Sequence, residues 1–433
     1  MGFVSYFKKR ILGKDPRFRE DRTYVMFLAL VKESLELKRS RVTFFRKARK
    51  HYKGKSEFLK EAGRDEIERT DLGYKAFKLI RGTAPYLQDK RNSVMAMIRQ
   101  LGPPHLFITL SSAEMEWDEV QKAIMEFELK RPVSKEEVDG LSKKQRRENI
   151  SKHPFIVAHH FHKRVGKVIN FLKTKGSLGK YHVVDYFYRV EFQMRGAPHI
   201  HCIVWIEDEE GNKAPHFVNN DDEASKNIYE QVVDSIVKGT FDTEDKELEQ
   251  LVRKLQKHSH TFTCYKKKRK VILKATEGHG RLDGVKVGEV IKANICRFLF
   301  PRPPVRKTCL IIPPDQDTHP NVMMVWKKNY QKIRNYLLRQ NFQEYPGQET
   351  EDMKKFAGLT FDEFLIELGL SEAEYLEALR IMVKSKGATT LVKRNCSDVF
   401  CNNYNPKLLL LHRANLDVSP INNEYAVAAY ILG

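Results

Sequence analysis

Several things are missing from this 433-residue sequence, and each absence narrows what it encodes. No GxxxxGK[ST] run is present, so the chain carries no recognisable ATP-driven motor. The longest apolar runs, YVMFLALV and LLLL, fall far short of the roughly 20 residues that a bilayer-spanning helix requires. The N-terminus lacks the apolar core of a signal peptide, and Tyr6 stands where a myristoylation pattern needs Ser or Thr. A membrane partner is therefore not expected. Cysteine is scarce, 6 in a long and highly charged chain, which is not the pattern of a secreted disulfide framework. A reducing compartment, nucleus or cytoplasm, is expected. Fixed-period repeats and low-complexity tracts are also absent.

Negative charge is the last shortage. Lys and Arg number 77 against 56 Asp and Glu, giving a formal charge of +21. Such an imbalance in a globular chain points to an extended polyanionic partner, most commonly nucleic acid. The basic residues are densest in the first 63 positions (FKKRILGK, KRSRVTFFRKARKHYKGK), where aromatics are interleaved with them. This is the composition of a helical nucleic-acid-binding arm or of a solvated helical surface.

Further along, DKRNSVMAMIRQLG has helical spacing of Val94, Met97, Ile98 and Leu101, stops at Gly102, and is followed by Pro-Pro and the strand HLFITLSS. WDEVQKAIMEF and HPFIVAHHFHKRVGKVINFLKTKG are amphipathic helices. The second carries His159, His160 and His162, which read as structural because no further ligand type surrounds them. Helices over 222–239 and 244–257 lead to a Cys/His stretch and the proline-rich FPRPPVRK. A basic helix, MVWKKNYQKIRNYLLRQ, follows, then TFDEFLIELGLSEAEYLEALRIMV, two helices with Thr and Ser capping signals.

The most informative stretch is RVEFQMRGAPHIHCIVWIEDEEG, residues 189–211. It reads as two strands joined by MRGAP, whose Gly196 and Pro198 suit a hairpin connection. Alternate strand residues share a face, so His199 and His201 point one way and Ile200 the other; Glu191 and Gln193 share a face of the preceding strand. Antiparallel pairing would bring two imidazoles and one side-chain oxygen together, a facial site for Mg²⁺ or Mn²⁺. A second constellation, His258, His260, Cys264 and Cys296, supplies two nitrogens and two sulfurs, the tetrahedral donor set of structural Zn²⁺. Cys396 and Cys401 are too loosely spaced to mark a site, and Cys202 and Cys309 read as core or incidental residues.

DYFYRVEFQMRGAPHIHCIVWIED resembles the signature of HUH endonucleases, in particular the Rep-like nuclease domain of Helitron transposases. MIRQLGPPHLFITLSSAEMEW, the HSHTFTC and CRFLFPRPP segments, NNYNPKLLLLHRANLDV and the closing YAVAAYILG follow the same order from about Asp65 onward. The resemblance implies an α+β fold: a central antiparallel sheet carrying the histidines, surrounding helices, and a small Cys/His insertion. It also implies that the two histidines hold a divalent cation while a tyrosine attacks a DNA phosphodiester, leaving a 5′-phosphotyrosine and a free 3′-hydroxyl. Gln193 matches the glutamine of the family's EFQ-x-RG run and is the preferred third ligand, with Glu191, the stronger donor for Mg²⁺, as the alternative. The nucleophile position falls on Tyr430. The family's second tyrosine, four residues on, would lie just past Gly433, and Tyr425 is one residue too far upstream to replace it. A His/Cys cluster in the same place in the family supports the zinc assignment.

The expected organisation is a basic helical region at 1–63, a nuclease core at 64–240, a Cys/His insertion at 241–305 and a helical part at 306–433 ending in the tyrosine helix. The expected partner is single-stranded DNA, at transposon ends or origin-like sites, in the nucleus (alternatively the cytoplasm). The family's helicase, absent from this sequence, would come from a longer protein or another chain. A DNA-binding module that has lost its chemistry is the competing expectation.

Overall fold

The computed structural model of the protein describes residues 3–13, 15, 17–48, 78, 80–193, 196–216, 222–260, 264, 270–274, 290–294, 296–340, 351–383 and 387–432. The fold mixes helices with a four-stranded antiparallel sheet. Its strands are β1 (Leu106–Ser111), β2 (Tyr181–Phe192), β3 (Pro198–Asp208) and, much later in the chain, Leu416–Pro420. Between them come β4 (Lys270–Lys274) paired with β5 (Val290–Asn294), and β6 (Cys309–Ile311) paired with β7 (Thr389–Leu391), which makes the last strand β8. The main sheet runs β2-β3-β1-β8, so the histidine strand is interior and β2 is an edge.

β3 is covered on both faces, and its sequence alternates accordingly. Ile200, Cys202, Val204 and Ile206 enter the largest core, beneath the helix Pro154–Leu172, whose Val157, Phe161, Val165 and Val168 recur at helical spacing. Ile203 and Trp205 face the other way, into a smaller core shared with the helices Ala84–Leu101 and Glu424–Leu432. Thr83 caps the first of these helices and Gly102, at φ 84, ends it. The Trp205 indole N–H then donates to Gly102 O at 2.8 Å, tying the helix end to β3. The terminal helix starts at Asn423, whose carboxamide oxygen accepts from Ala426 N–H. It buries Ala428 and Ile431 against the sheet.

A third core joins the helices Pro320–Gln340, Phe361–Leu368 and Glu372–Leu379 around Phe364, Tyr375 and Leu337. Thr360 and Ser371 form the capping boxes expected of them. The basic N-terminal segment is helical over Phe3–Ile11, Arg17–Glu20 and Arg22–Ala48, while positions 49–63 lie outside the described residues. All six cysteines are buried thiols outside any disulfide. No helix among the described residues is long and apolar enough to cross a membrane.

Several elements were not read from the sequence, among them the strands β4 to β7, two polar helices and β8. The helices Lys135–Asp139 and Lys143–Lys152 are short and highly polar, so no apolar stripe announces them. β8 is only five residues long and holds Asp417, Ser419 and Pro420, an unpromising strand composition that pairing with β1 overrides.

His412 anchors the end of β1: its ring nitrogen Nε2 lies 2.8 Å from Ser111 O, in a fully buried position beside Trp117. Burial pushes the imidazole down to about 4. The folded value lies below the unfolded one, so the neutral ring favours folding above about pH 6.5 and that contribution is lost as pH falls through about 4. The difference amounts to about 3 kcal/mol. Urea unfolding across pH 7 to 4 should show this loss in the wild type and a flatter profile in His412→Asn.

Candidate metal centre and tyrosine

The antiparallel registers set the site. β3 pairs with β2 so that His199 faces Glu191 and His201 faces Arg189. It pairs with β1 so that His201 faces Thr109 and His199 faces Ser111, and β1 in turn sets Thr109 opposite Asp417 of β8. One row across the sheet therefore reads Arg189, His201, Thr109, Asp417, all turned toward the terminal helix.

The two imidazoles converge through their Nε2 atoms, 3.0 Å apart, with the rings nearly perpendicular. Glu191 Oε2 lies 3.4 Å from His199 Nε2 and 3.7 Å from His201 Nε2. Two donors held at about 2.1 Å and a right angle around an octahedral cation are about 3.0 Å apart, so the spacing of the nitrogens fits Mg²⁺ or Mn²⁺. His201 Nδ1 sits 3.0 Å from Thr109 Oγ1. That contact lets Nδ1 carry the proton and leaves the Nε2 lone pair free for a cation. Burial pushes the His201 imidazole below its ordinary value, with His199 adding to the effect and Glu191 opposing it. The ring is therefore neutral near pH 7, the form that binds metal.

Of the two alternatives for a third ligand, Glu191 is the one drawn up to the histidines. Gln193 lies one residue beyond the end of β2, exposed, with its backbone N–H bonded to Ala197 O at the hairpin.

Tyr430, near the end of the terminal helix, reaches this centre. Its hydroxyl is 3.4 Å from His201 Nε2, and its ring makes edge contacts with His201 (5.1 Å) and Phe107 (5.8 Å). The ring is 58% exposed, open to a substrate from the solvent side. Burial of the hydroxyl, then Glu191, raise the phenol above its ordinary value; Arg297 and Arg189 pull it back. Arg189 also donates from Nη1 to Ile431 O (3.3 Å), tying the terminal helix to β2. Tyr425 is exposed on the same helix.

The second cluster also assembles. The ligand atoms of His258, His260, Cys264 and Cys296 all lie within 4.8 Å of one another. His258 Nε2 is 3.5 Å from Cys296 Sγ and 3.7 Å from Cys264 Sγ. A tetrahedral zinc with ordinary Zn–N and Zn–S bonds separates its nitrogen and sulfur ligands by about 3.6 Å, so the donors fit that ion. Burial pushes His258 down to about 4 and raises the Cys296 thiol. Phe300 stacks on the His258 ring at 4.2 Å, and Arg302 lies over the Phe300 ring at 4.7 Å. Most of the intervening YKKKRK stretch, residues 265–269, lies outside the described residues. His159, His160 and His162 join neither cluster, in keeping with a structural role.

Thr109, Arg189 and Phe107 were not singled out from the sequence. Thr109 carries no motif; only the β1–β3 register reveals it. The signal for Arg189 was its even spacing from Glu191, which places both on one strand face.

Residues 6–204 match the family model described as the Helitron helicase-like domain at the N-terminus. This segment is a Helitron-like N-terminal domain. The match takes in the basic N-terminal helices, β1, β2 and most of β3, and with them Glu191, His199 and His201. It begins well before the first motif of the resemblance read from the sequence, and Tyr430 and the His/Cys cluster lie downstream of it. No curated protein matches the chain. A Helitron-like domain, the net charge of +21 and two metal-compatible clusters together point to nucleic acid as the partner.

Metal content is directly measurable. The purified protein should contain about one zinc by elemental analysis, lost in Cys264→Ser with Cys296→Ser. Mn²⁺ titrated after removal of weakly held ions should bind the wild type, bind Glu191→Gln at least tenfold more weakly, and fail to bind His199→Ala with His201→Ala.

Proposed function

We propose that this protein nicks single-stranded DNA and transfers the cut strand through a 5′-phosphotyrosine at Tyr430, its four-stranded sheet serving as a HUH endonuclease core. The observation that carries this reading is the Tyr430 hydroxyl, 3.4 Å from His201 Nε2 at the point where Glu191 and His199 also converge. A nucleophile at a three-donor cation site, on a strongly basic protein, fits phosphodiester chemistry better than a structural metal.

A divalent cation at Glu191, His199 and His201 would neutralise a non-bridging phosphate oxygen and stabilise charge developing in the transition state. The rest is done by the protein. Neutral imidazoles add no negative charge that would repel the phosphate. Thr109 Oγ1, 3.0 Å from His201 Nδ1, is placed to accept a hydrogen bond from that nitrogen and leave Nε2 for the cation. Tyr430 Oη forms a bond to phosphorus as the bond from phosphorus to the 3′-oxygen breaks; the phenolic proton is lost to solvent and the 3′-oxygen is protonated. One phosphodiester replaces another, so the phenolate can later leave again and the strand be rejoined without an external energy source. Arg189 and Arg297 favour the phenolate that attacks and later departs.

The test is incubation with labelled single-stranded oligonucleotides and Mn²⁺, followed by denaturing electrophoresis. A denaturation-resistant protein–DNA adduct should form, and it should fall at least a hundredfold in Tyr430→Phe and in His199→Ala with His201→Ala, as expected for loss of a nucleophile or its cation site. Binding of these strands without an adduct on any of them would overturn the nuclease reading in favour of a DNA-binding module.

A further inference from the structure

The face of the main sheet opposite the histidines ends in a cavity of about 660 Å³, bounded in part by Ser112, Arg147, Ile150, Pro154, Phe192 and Pro198. It begins where the candidate centre stops. Phe192 follows Glu191 and Pro198 precedes His199, and the pleat turns each to the other side of the sheet. Ser112 N–H donates to Pro198 O at 3.2 Å, which ties the cavity wall to the start of the histidine strand.

Its lining combines an exposed aromatic ring with a cationic side chain. Phe192 is 66% exposed, a large apolar ring left in water at the cavity mouth. It ends a row on the edge strand β2, Tyr186, Tyr188, Val190 and Phe192, whose members lie about 6.8 Å apart along the strand. The Tyr186 and Tyr188 rings are parallel within 8°. Above the cavity runs the helix Lys143–Lys152. Its Arg146 is committed to Met115 O, Val138 O and Asp118, which fixes the helix in place. Arg147, next to it, faces the cavity and pairs with no carboxylate among the described residues. Glu114, a buried acidic residue, also lines the cavity. Arg147 is exposed at this cavity and is placed to meet a phosphate at its rim.

We infer that this cavity holds one unstacked base of the single strand whose backbone reaches the histidine face around the β2–β3 hairpin. The inference rests on the nuclease reading for the identity of its ligand, but its test does not depend on cleavage. Equilibrium binding of the full chain is measured by fluorescence anisotropy, without divalent cations, to a labelled oligodeoxycytidine and to an abasic strand of equal length. The wild type should prefer the cytidine strand by roughly tenfold or more, the usual scale of base–aromatic stacking. Phe192→Ala should lose most of that preference, Phe192→Trp should retain it, and Arg147→Ala should weaken both strands alike through the phosphate. Circular dichroism confirms that each variant is folded. Cytidine binding unchanged in Phe192→Ala, or a loss equal on both strands, would overturn the assignment. A covalent adduct in the wild type alongside either result would sink the cavity and leave the nuclease standing. Loss of the preference in Phe192→Ala with no adduct anywhere would do the reverse.

Discussion

Everything at the candidate centre depends on the two-residue period of β3. The strand is interior to the sheet, so both its faces must be filled, and it fills them differently along its length. Even positions from Ile200 to Ile206 are apolar throughout and sit under the helix Pro154–Leu172. Odd positions are apolar at Ile203 and Trp205, where the helices Ala84–Leu101 and Glu424–Leu432 cover them, and toward the hairpin become imidazoles, His201 buried and His199 partly exposed. A slip of one residue would put two histidines into the main core and Ile200 and Cys202 at the metal site. The burial that stabilises the sheet is thus what aims the ligands.

The same sheet links the two donor clusters. Asp417 on β8 is opposite Thr109, which contacts His201. Burial raises the Asp417 carboxyl, and Arg302 opposes that rise. Arg302 donates to Asn402 Oδ1 and Asn403 Oδ1 while lying over Phe300, which stacks on His258. Arg394 is buried beside it, donating to Asp398 O, Cys401 O and Asn403 Oδ1. The buried Arg394 and the partly buried Arg302 are accommodated here by five hydrogen bonds to backbone and amide oxygens. The segments FPRPP and CNNYNP owe their composition to this network, which packs the Cys/His cluster against the sheet.

Tyr430 is held by ordinary means. Ala428 and Ile431 anchor the terminal helix in a small core, and Arg189 takes hold of a carbonyl in its last turn, where cations are favoured. These contacts bring a half-exposed tyrosine within reach of His201 without burying it.

Much of this was legible in the residues themselves. The donor set of the Cys/His cluster was read from ligand type across 38 positions, while the hairpin of β2 and β3, the shared face of His199 and His201 and the capped helices at Thr360 and Ser371 follow from local rules: strand period and capping chemistry. Those rules act within a few residues, so sequence suffices to state them. The tertiary structure alone decided which carboxylate or amide meets the histidines, because that depends on where β2 leaves its ladder, and Glu191 rather than Gln193 lies opposite His199. It alone brought in Thr109, about 90 positions from His201, and β8, whose composition argues against a strand until β1 pairs with it. It alone closed the distance from Tyr430 to His201, 229 positions apart. Such contacts are paid for by the burial of two hydrophobic cores, a property of the folded chain as a whole that no short window of sequence contains.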